Sequence, residues 1–172
     1  MALYALGDAE PTINPTAFVH PDAVIIGNVT IGAESSIWPN TCLRGDHGEI
    51  IIGARTSIQD GTVIHCTPQF WTRVGDDCVI GHLVHLEGCT IEDFALVGSN
   101  STVLHNATVR TGALVGANAL VPGGMEVPTG CQALGVPAKL RPDSVTREMI
   151  SQGRDAYVYN AAWYRKDLRR ID

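Results

Sequence analysis

The side chains best suited to metal or acid–base chemistry in this sequence are six histidines, His20, His47, His65, His82, His85 and His105. His65 stands one residue after Ile64 and Glu87 one residue after Leu86. Ile64 and Leu86 hold the same place in a repeat, one full coil apart, so the two polar side chains are expected to stack on one corner at the ~4.8 Å spacing of neighbouring strands. A nitrogen and a carboxylate oxygen so placed can share one ion at the ~2.0–2.2 Å bond lengths of Zn–N and Zn–O. His82 follows Ile80 by two and falls on the preceding corner, where its own chain cannot bring it to that point. A neighbouring chain in a three-fold oligomer could, which would complete three ligands and leave an open position, the arrangement of a catalytic zinc site. Unrelated surface histidines remain the simpler alternative on spacing alone, and solvent exposure is expected for His20 and His47.

The elements that must position these residues are read from a six-residue period. Ile91, Val97, Val103, Val109, Val115, Val121 and Val127 are β-branched and spaced six apart, and two residues before them stand Cys89, Ala95, Ser101, Ala107, Ala113, Ala119 and Met125. Neither a helix nor a plain alternating strand has this period. Each unit reads as a short strand and a tight bend, three to a triangular coil, stacked as a parallel β-helix. The phase continues backwards through Val19, Ile25, Ile31, Ile37 and Leu43, then Ile52, Ile58 and Ile64, then Val74, Ile80 and Leu86, for about six coils. Extra residues between Leu43 and Ile52, and between Ile64 and Val74, are expected to leave the coil as loops, where function is usually placed. After Pro142 the pattern becomes Val145, Met149, Ala156, Asn160, Tyr164 and Leu168, a helical stripe. Asp143 or Ser144 is the expected cap, Lys166, Arg169 and Arg170 suit the helix end, and Gly153 is expected to weaken or bend it. The expected organisation is an entry segment (1–16), an all-β solenoid (17–140) and a C-terminal helix packed along it (141–172), with part of its aromatic surface available to another subunit.

The chain has 172 residues, enough for one core, and its net charge of -6 argues against a nucleic-acid partner. Five cysteines, Cys42, Cys66, Cys78, Cys89 and Cys131, form no Cys-x-x-Cys pair and read as reduced core thiols. No charged-then-apolar leader precedes Thr12, and no apolar run is long enough to span a bilayer. Cytoplasmic placement is the expectation.

Leu43-Arg44-Gly45-Asp46, the segment from Ile52 to Gly61 containing Ile58-Gln59-Asp60-Gly61, Val63-Ile64-His65, Ile80-Gly81-His82, Gly88-Cys89-Thr90-Ile91 and the closing Gly135-Val136-Pro137-Ala138-Lys139 occur in register along nearly the whole chain. In this the sequence resembles the gamma-class carbonic anhydrase family. The resemblance implies a left-handed β-helix, a homotrimer, a zinc-type ion at each subunit interface and CO2 or bicarbonate as substrate. It sets His65 and His82 on two of the family's three histidine ligands. Arg44, Asp46 and Asp60 match a charged set that ties subunits together near the metal, Gln59 a glutamine that orients water or substrate, and Tyr164 a tyrosine of the C-terminal helix.

The sequence departs from the family where Glu87 stands in place of the third histidine. Two histidines and a carboxylate are still a valid zinc set, and they also suit Fe(II), Co(II) or Ni(II). The anionic ligand is expected to leave bound water less acidic and CO2 hydration slower. His85 is the substitute ligand, ranked second because strand alternation is taken to turn it away from Glu87. Ser57 replaces the family's asparagine, and His47, after Asp46, is a candidate proton shuttle. Two other readings stay open: an inactive metal-binding or scaffold relative, and a hexapeptide-repeat acyltransferase or thioesterase with His105 or His85 as general base.

Overall fold

In each coil the repeat residue points inward and its two neighbours outward, as the two-residue period of a strand requires. Ile25, Leu43, Ile64, Leu86, Val103 and Val121 form one such inward column, all of them fully buried. Burying each contributes about 1.5–3 kcal/mol, which is what holds strands only two or three residues long. The computed structural model describes residues 1–172 and shows a left-handed triangular solenoid of about seven coils closed by one helix. The usual right-handed crossover preference comes from strand twist. Strands this short carry little twist and do not impose it.

Three parallel faces result. The first runs through Ala2–Tyr4, the first halves of Val24–Ile31 and Cys42–Ile52, then Val63–His65, His85–Glu87, Thr102–Val103 and Leu120–Val121. The second runs through Thr12–Ile13, the second halves of the same two long strands, Thr72–Val74, Thr90–Ile91, Thr108–Val109 and Glu126–Val127. The third runs from Phe18–Val19 to Gln132–Leu134, against which Lys139–Arg141 folds back antiparallel. The strands Ala2–Tyr4 and Thr12–Ile13 supply a first coil that the six-residue phase does not reach, hence about seven coils instead of six.

The residues between Leu43 and Ile52 do not leave the coil as a loop, contrary to expectation. Cys42–Ile52 is one continuous strand that bends from the first face to the second, paired with Val24–Ile31 across a register shift after Gly27. A Cβ on Gly45 would lie 2.4 Å from the Asn28 carbonyl oxygen, so the two backbones can approach here only because Gly45 has no side chain. The insertion between Ile64 and Val74 does leave the coil, at residues 66–71, and exposes Phe70 and Trp71.

The helix spans Arg147–Asp167 without a break and covers the third face. Thr146, extended at φ -99°, is its N-cap, in place of Asp143 or Ser144. Asp143 takes a left-handed turn and the Ser144 hydroxyl donates to the Arg141 carbonyl, so both belong to the preceding turn. Its packed side is Ile150, Gly153, Tyr157, Ala161 and Tyr164, displaced from the expected stripe, because Met149 and Ala156 face solvent. Gly153 does not bend the helix; it faces Val79, where a Cβ would make an ordinary contact at 3.5 Å. Tyr157 and Tyr164 pack edge-on against Trp38, at 5.4 and 5.0 Å between ring centroids. Trp38 donates its ring N–H to Ser36 and Ser57, so Ser57 supports the helix platform. Arg165 and Lys166 occupy the last turn, whereas Arg169 and Arg170 lie beyond it. No helix is long and apolar enough to cross a membrane.

Candidate functional site

On the outer side of the first face Arg44, His65 and Glu87 occupy one register position on three successive coils. The stacking expected for His65 and Glu87 is therefore present: His65 Nδ1 lies 3.1 Å from Glu87 Oε1. The other ring nitrogen, Nε2, lies 2.8 Å from Asp46 Oδ1, and Arg44 forms an ion pair with the same Asp46. Burial pushes the Asp46 carboxyl up, but hydrogen bonds from His65 and Arg44 outweigh it and hold it below the usual carboxylate range. For Glu87 burial again raises and the hydrogen bonds from His65 and His85, with the His105 charge, lower it to a net depression.

Both carboxylates are therefore ionised and act only as acceptors, whereas a neutral imidazole carries one N–H. With that proton on Nδ1 the ring donates to Glu87; with it on Nε2, at the shorter contact, Nδ1 would turn a lone pair toward the Glu87 carboxylate, an arrangement that a proton or a metal ion between them would relieve. A histidine that donates its far N–H to a carboxylate and offers its other nitrogen is the usual form of a metal ligand, and the His65–Glu87 pair fits two positions of such a set.

His82 is not part of this cluster. It lies on the corner between the third and first faces, half exposed, with Nδ1 2.9 Å from Asp60 Oδ2. No group of three His, Cys, Asp or Glu side chains within one chain is arranged to hold a metal ion. Gln59 is 4% exposed, one residue before Asp60, and its backbone N–H donates to Ile80 O. Tyr164 sits among Phe18, Trp38 and Trp163, in the helix platform. The helix tyrosine that feels Asp60 is Tyr157, whose hydroxyl is pushed up by burial and then by that charge. The charged set is thus divided, Arg44 and Asp46 beside His65, and Asp60 beside His82.

The expectation that His85 points away from Glu87 is corrected. Residues two apart share a face, and His85 and Glu87 flank the inward Leu86; His85 Nε2 lies 3.3 Å from Glu87 Oε2. His105 reaches the same carboxylate from the next coil at 3.6 Å, its ring 6.1 Å from that of Phe70. Three imidazoles thus surround Glu87. Thr72 is a further site residue that the sequence did not suggest. Fully buried where the 66–71 excursion rejoins the coil, its hydroxyl donates to the His65 carbonyl and accepts from Gly88 N–H at 2.8 Å, pinning the chain directly after both site residues. The only signal was a threonine at an inward position. His47 is exposed, next to Asp46 in the chain.

No family model matches the chain. Carnitine operon protein CaiE of Escherichia coli K12 is 46% identical over 107 residues, 62% of this chain and 55% of that protein, so the match spans about half the length of this curated relative. Among solved structures, the BC4754 gene product of Bacillus cereus, described as a candidate acetyltransferase, is 37% identical with a TM-score of 0.93, covering 95% of this chain and 96% of its own. A hexapeptide transferase family protein from Anaplasma phagocytophilum is 33% identical with a TM-score of 0.90, covering 95% and 98%. Identity at this level along the whole of both solved chains, on one coil with one closing helix, places this chain in the hexapeptide-repeat left-handed β-helix family, among its gamma-class carbonic anhydrase-like members.

Proposed function

We propose that the chain is a gamma-carbonic-anhydrase-like metalloprotein in which His65 and Glu87 of one subunit and His82 of a neighbour in a homotrimer bind one divalent transition-metal ion, zinc in the first instance. The observation that carries this reading is the in-register His65–Glu87 pair, 3.1 Å apart, with Asp46 at the other ring nitrogen. An ion so held would supply Lewis-acid activation of water for attack on a small electrophile such as CO2. Asp46, clamped by Arg44, sets the His65 tautomer and ring plane. Thr72 fixes the backbone behind both ligands. Gln59 and Asp60 arrive with His82 from the neighbouring corner, where a buried amide is suited to orient a small polar substrate. Reduced thiols, with burial pushing Cys78 and Cys89 up to about 12, agree with a cytoplasmic setting.

Protein purified without chelator and loaded with zinc is expected to hold about one ion per chain and to hydrate CO2 slowly. Glu87→Gln should lower metal content sharply, since an amide oxygen is a weak donor to a transition metal. Glu87→His should restore three imidazoles and raise hydration at neutral pH. Unchanged metal content in Glu87→Gln would remove Glu87 from the set.

Acyl transfer is the second reading. His85 and His105 both face the Glu87 carboxylate, a histidine–carboxylate pairing suited to a general base, and the two full-length structural relatives carry transferase descriptions. Turnover of acetyl-CoA that persists in metal-free protein and is lost in His105→Ala or His85→Ala would select it.

A further inference from the structure

The corner that carries His82 holds one residue ill suited to its own backbone. Asn40, Gly61, Leu83, Asn100 and Asn118 occupy the left-handed position on successive coils, with φ between 58 and 68°. Glycine and asparagine tolerate this conformation, whereas leucine brings its Cβ too close to the following carbonyl. Leu83 is also 62% exposed. Its Cδ2 rests over Gly61, where a Cβ would come within 2.6 Å of it. A strained backbone that presents an apolar side chain to water does nothing for the isolated subunit, and such strain persists where function requires it. Beside Leu83 the exposed half of Asp60 carries negative charge.

The first face offers the matching features. Val63 is 41% exposed, two residues before His65 on the same side of the strand, and Arg44 is 45% exposed at the register position of His65. The third face is covered by the helix, and the second is lined by charged and hydroxyl side chains apart from Ile51.

We infer that Leu83 anchors a contact between copies of this chain, seated on the first face of a neighbouring subunit against Val63. This rests on the reading that His82 completes a neighbour's site. It extends that reading by naming the residue that holds His82 there, and it explains a leucine in a column of asparagine and glycine.

Leu83→Asn installs the residue that the column otherwise uses and leaves every polar site group in place; Leu83→Gly, which suits the same φ, is the second variant. Sedimentation velocity over a dilution series, with zinc titrated in parallel, reads assembly and metal separately. Folding should be retained by far-UV circular dichroism, with a thermal midpoint at high protein concentration no lower than expected from the loss of assembly. The trimer dissociation constant should rise at least about tenfold, the size of one interface anchor. Ile51→Thr, on the second face, should leave it unchanged. An unchanged dissociation constant in both Leu83 variants overturns the inference whatever zinc does, as does a parent protein that stays monomeric, or an equal weakening by Ile51→Thr. A trimer that weakens as expected in a parent protein that binds no zinc upholds the contact and overturns the metal reading.

Discussion

The first and second faces of the solenoid share one repeat and one set of inward aliphatic residues, yet their outer surfaces differ in kind. The first presents Val24, Ile26, Cys42, Val63, Leu104 and Leu120 around the Arg44–His65–Glu87 column. The second presents threonines, glycines and the exposed ladder in which Arg110 joins Glu92 and Glu126, both at 2.6 Å. Inward residues set the coil and outward residues are free to vary, so one scaffold can carry a solvated wall and a site-bearing wall side by side. The partly buried polar groups on the first face are linked through His65 and Glu87 to one another, whereas the linked groups on the second lie open to solvent. Damage to the first face should therefore spread and damage to the second should stay local.

The edge between the two faces is the place where the comparison breaks most severely. Gly45→Ala sets a Cβ against the Asn28 carbonyl, a backbone group that cannot move aside, and should cost on the order of 3–5 kcal/mol. Thermal denaturation at fixed protein concentration should show a midpoint lower by roughly 10 °C. Gly124→Ala, where nothing lies within 4 Å, tests the sterics alone against its left-handed φ, and should cost only about 1–2 kcal/mol.

Within the first face, Thr72→Val keeps shape and removes the hydroxyl that joins the His65 carbonyl to Gly88 N–H. Those two backbone groups keep only the long 3.4 Å hydrogen bond from Gly88 N–H to the His65 carbonyl, so the loss should cost about 0.5–1.5 kcal/mol and lower zinc content as well. Retention of full zinc binding in a folded Thr72→Val protein would show that the backbone clamp does not position the ligands. Arg44→Ala should weaken the subunit little, because its pair with Asp46 is half exposed in the protomer. The 3–5 kcal/mol lost when a buried pair is broken applies only where a neighbour covers it, and sedimentation distinguishes the two.

The third face tests the same contrast by pH. Hydrogen bonds from Arg55, opposed by burial and reinforced by Arg154 of the helix at 2.7 Å, hold the Asp77 carboxyl below the usual range. A lowered folded value means that this stabilisation is present above the unfolded value near ~3.9 and is lost as pH falls through the folded one. Near-UV circular dichroism of the Trp38 cluster should therefore be constant down to about pH 4 and fall below it. Arg154→Met should reduce that acid dependence and leave the larger part, which Arg55 supplies. The smallest effect belongs to the second face, where Arg110→Ala should shift the thermal midpoint by less than about 2 °C.

The solenoid was legible because its period is set by burial, and every repeat position from Ile25 to Val127 is apolar and small enough to stack. The His65–Glu87 rung was legible for the same reason, since register follows from the repeat. His85 was misplaced only by counting one residue where two separate it from Glu87. The helix phase was not legible because Tyr159 and Trp163 face solvent while Tyr157 and Tyr164 are packed, so aromatic residues mark both sides. Thr72 and Leu83 escaped notice because a buried hydroxyl's partners and a left-handed φ belong to the folded backbone. The strand continuity at Gly45 depends likewise on a close approach between segments.

The central claim, a site shared between subunits, is tested most directly by complementation. His65→Ala and His82→Ala proteins should each bind little zinc. When the two are unfolded together and refolded as mixed trimers, an interface regains all its ligands wherever a His82→Ala subunit offers His65 to the His82 of a His65→Ala subunit. Random mixing should restore about a quarter of the parental zinc sites. Recovery near that level is the result the account predicts; mixed trimers that bind no more zinc than either variant alone would contradict it.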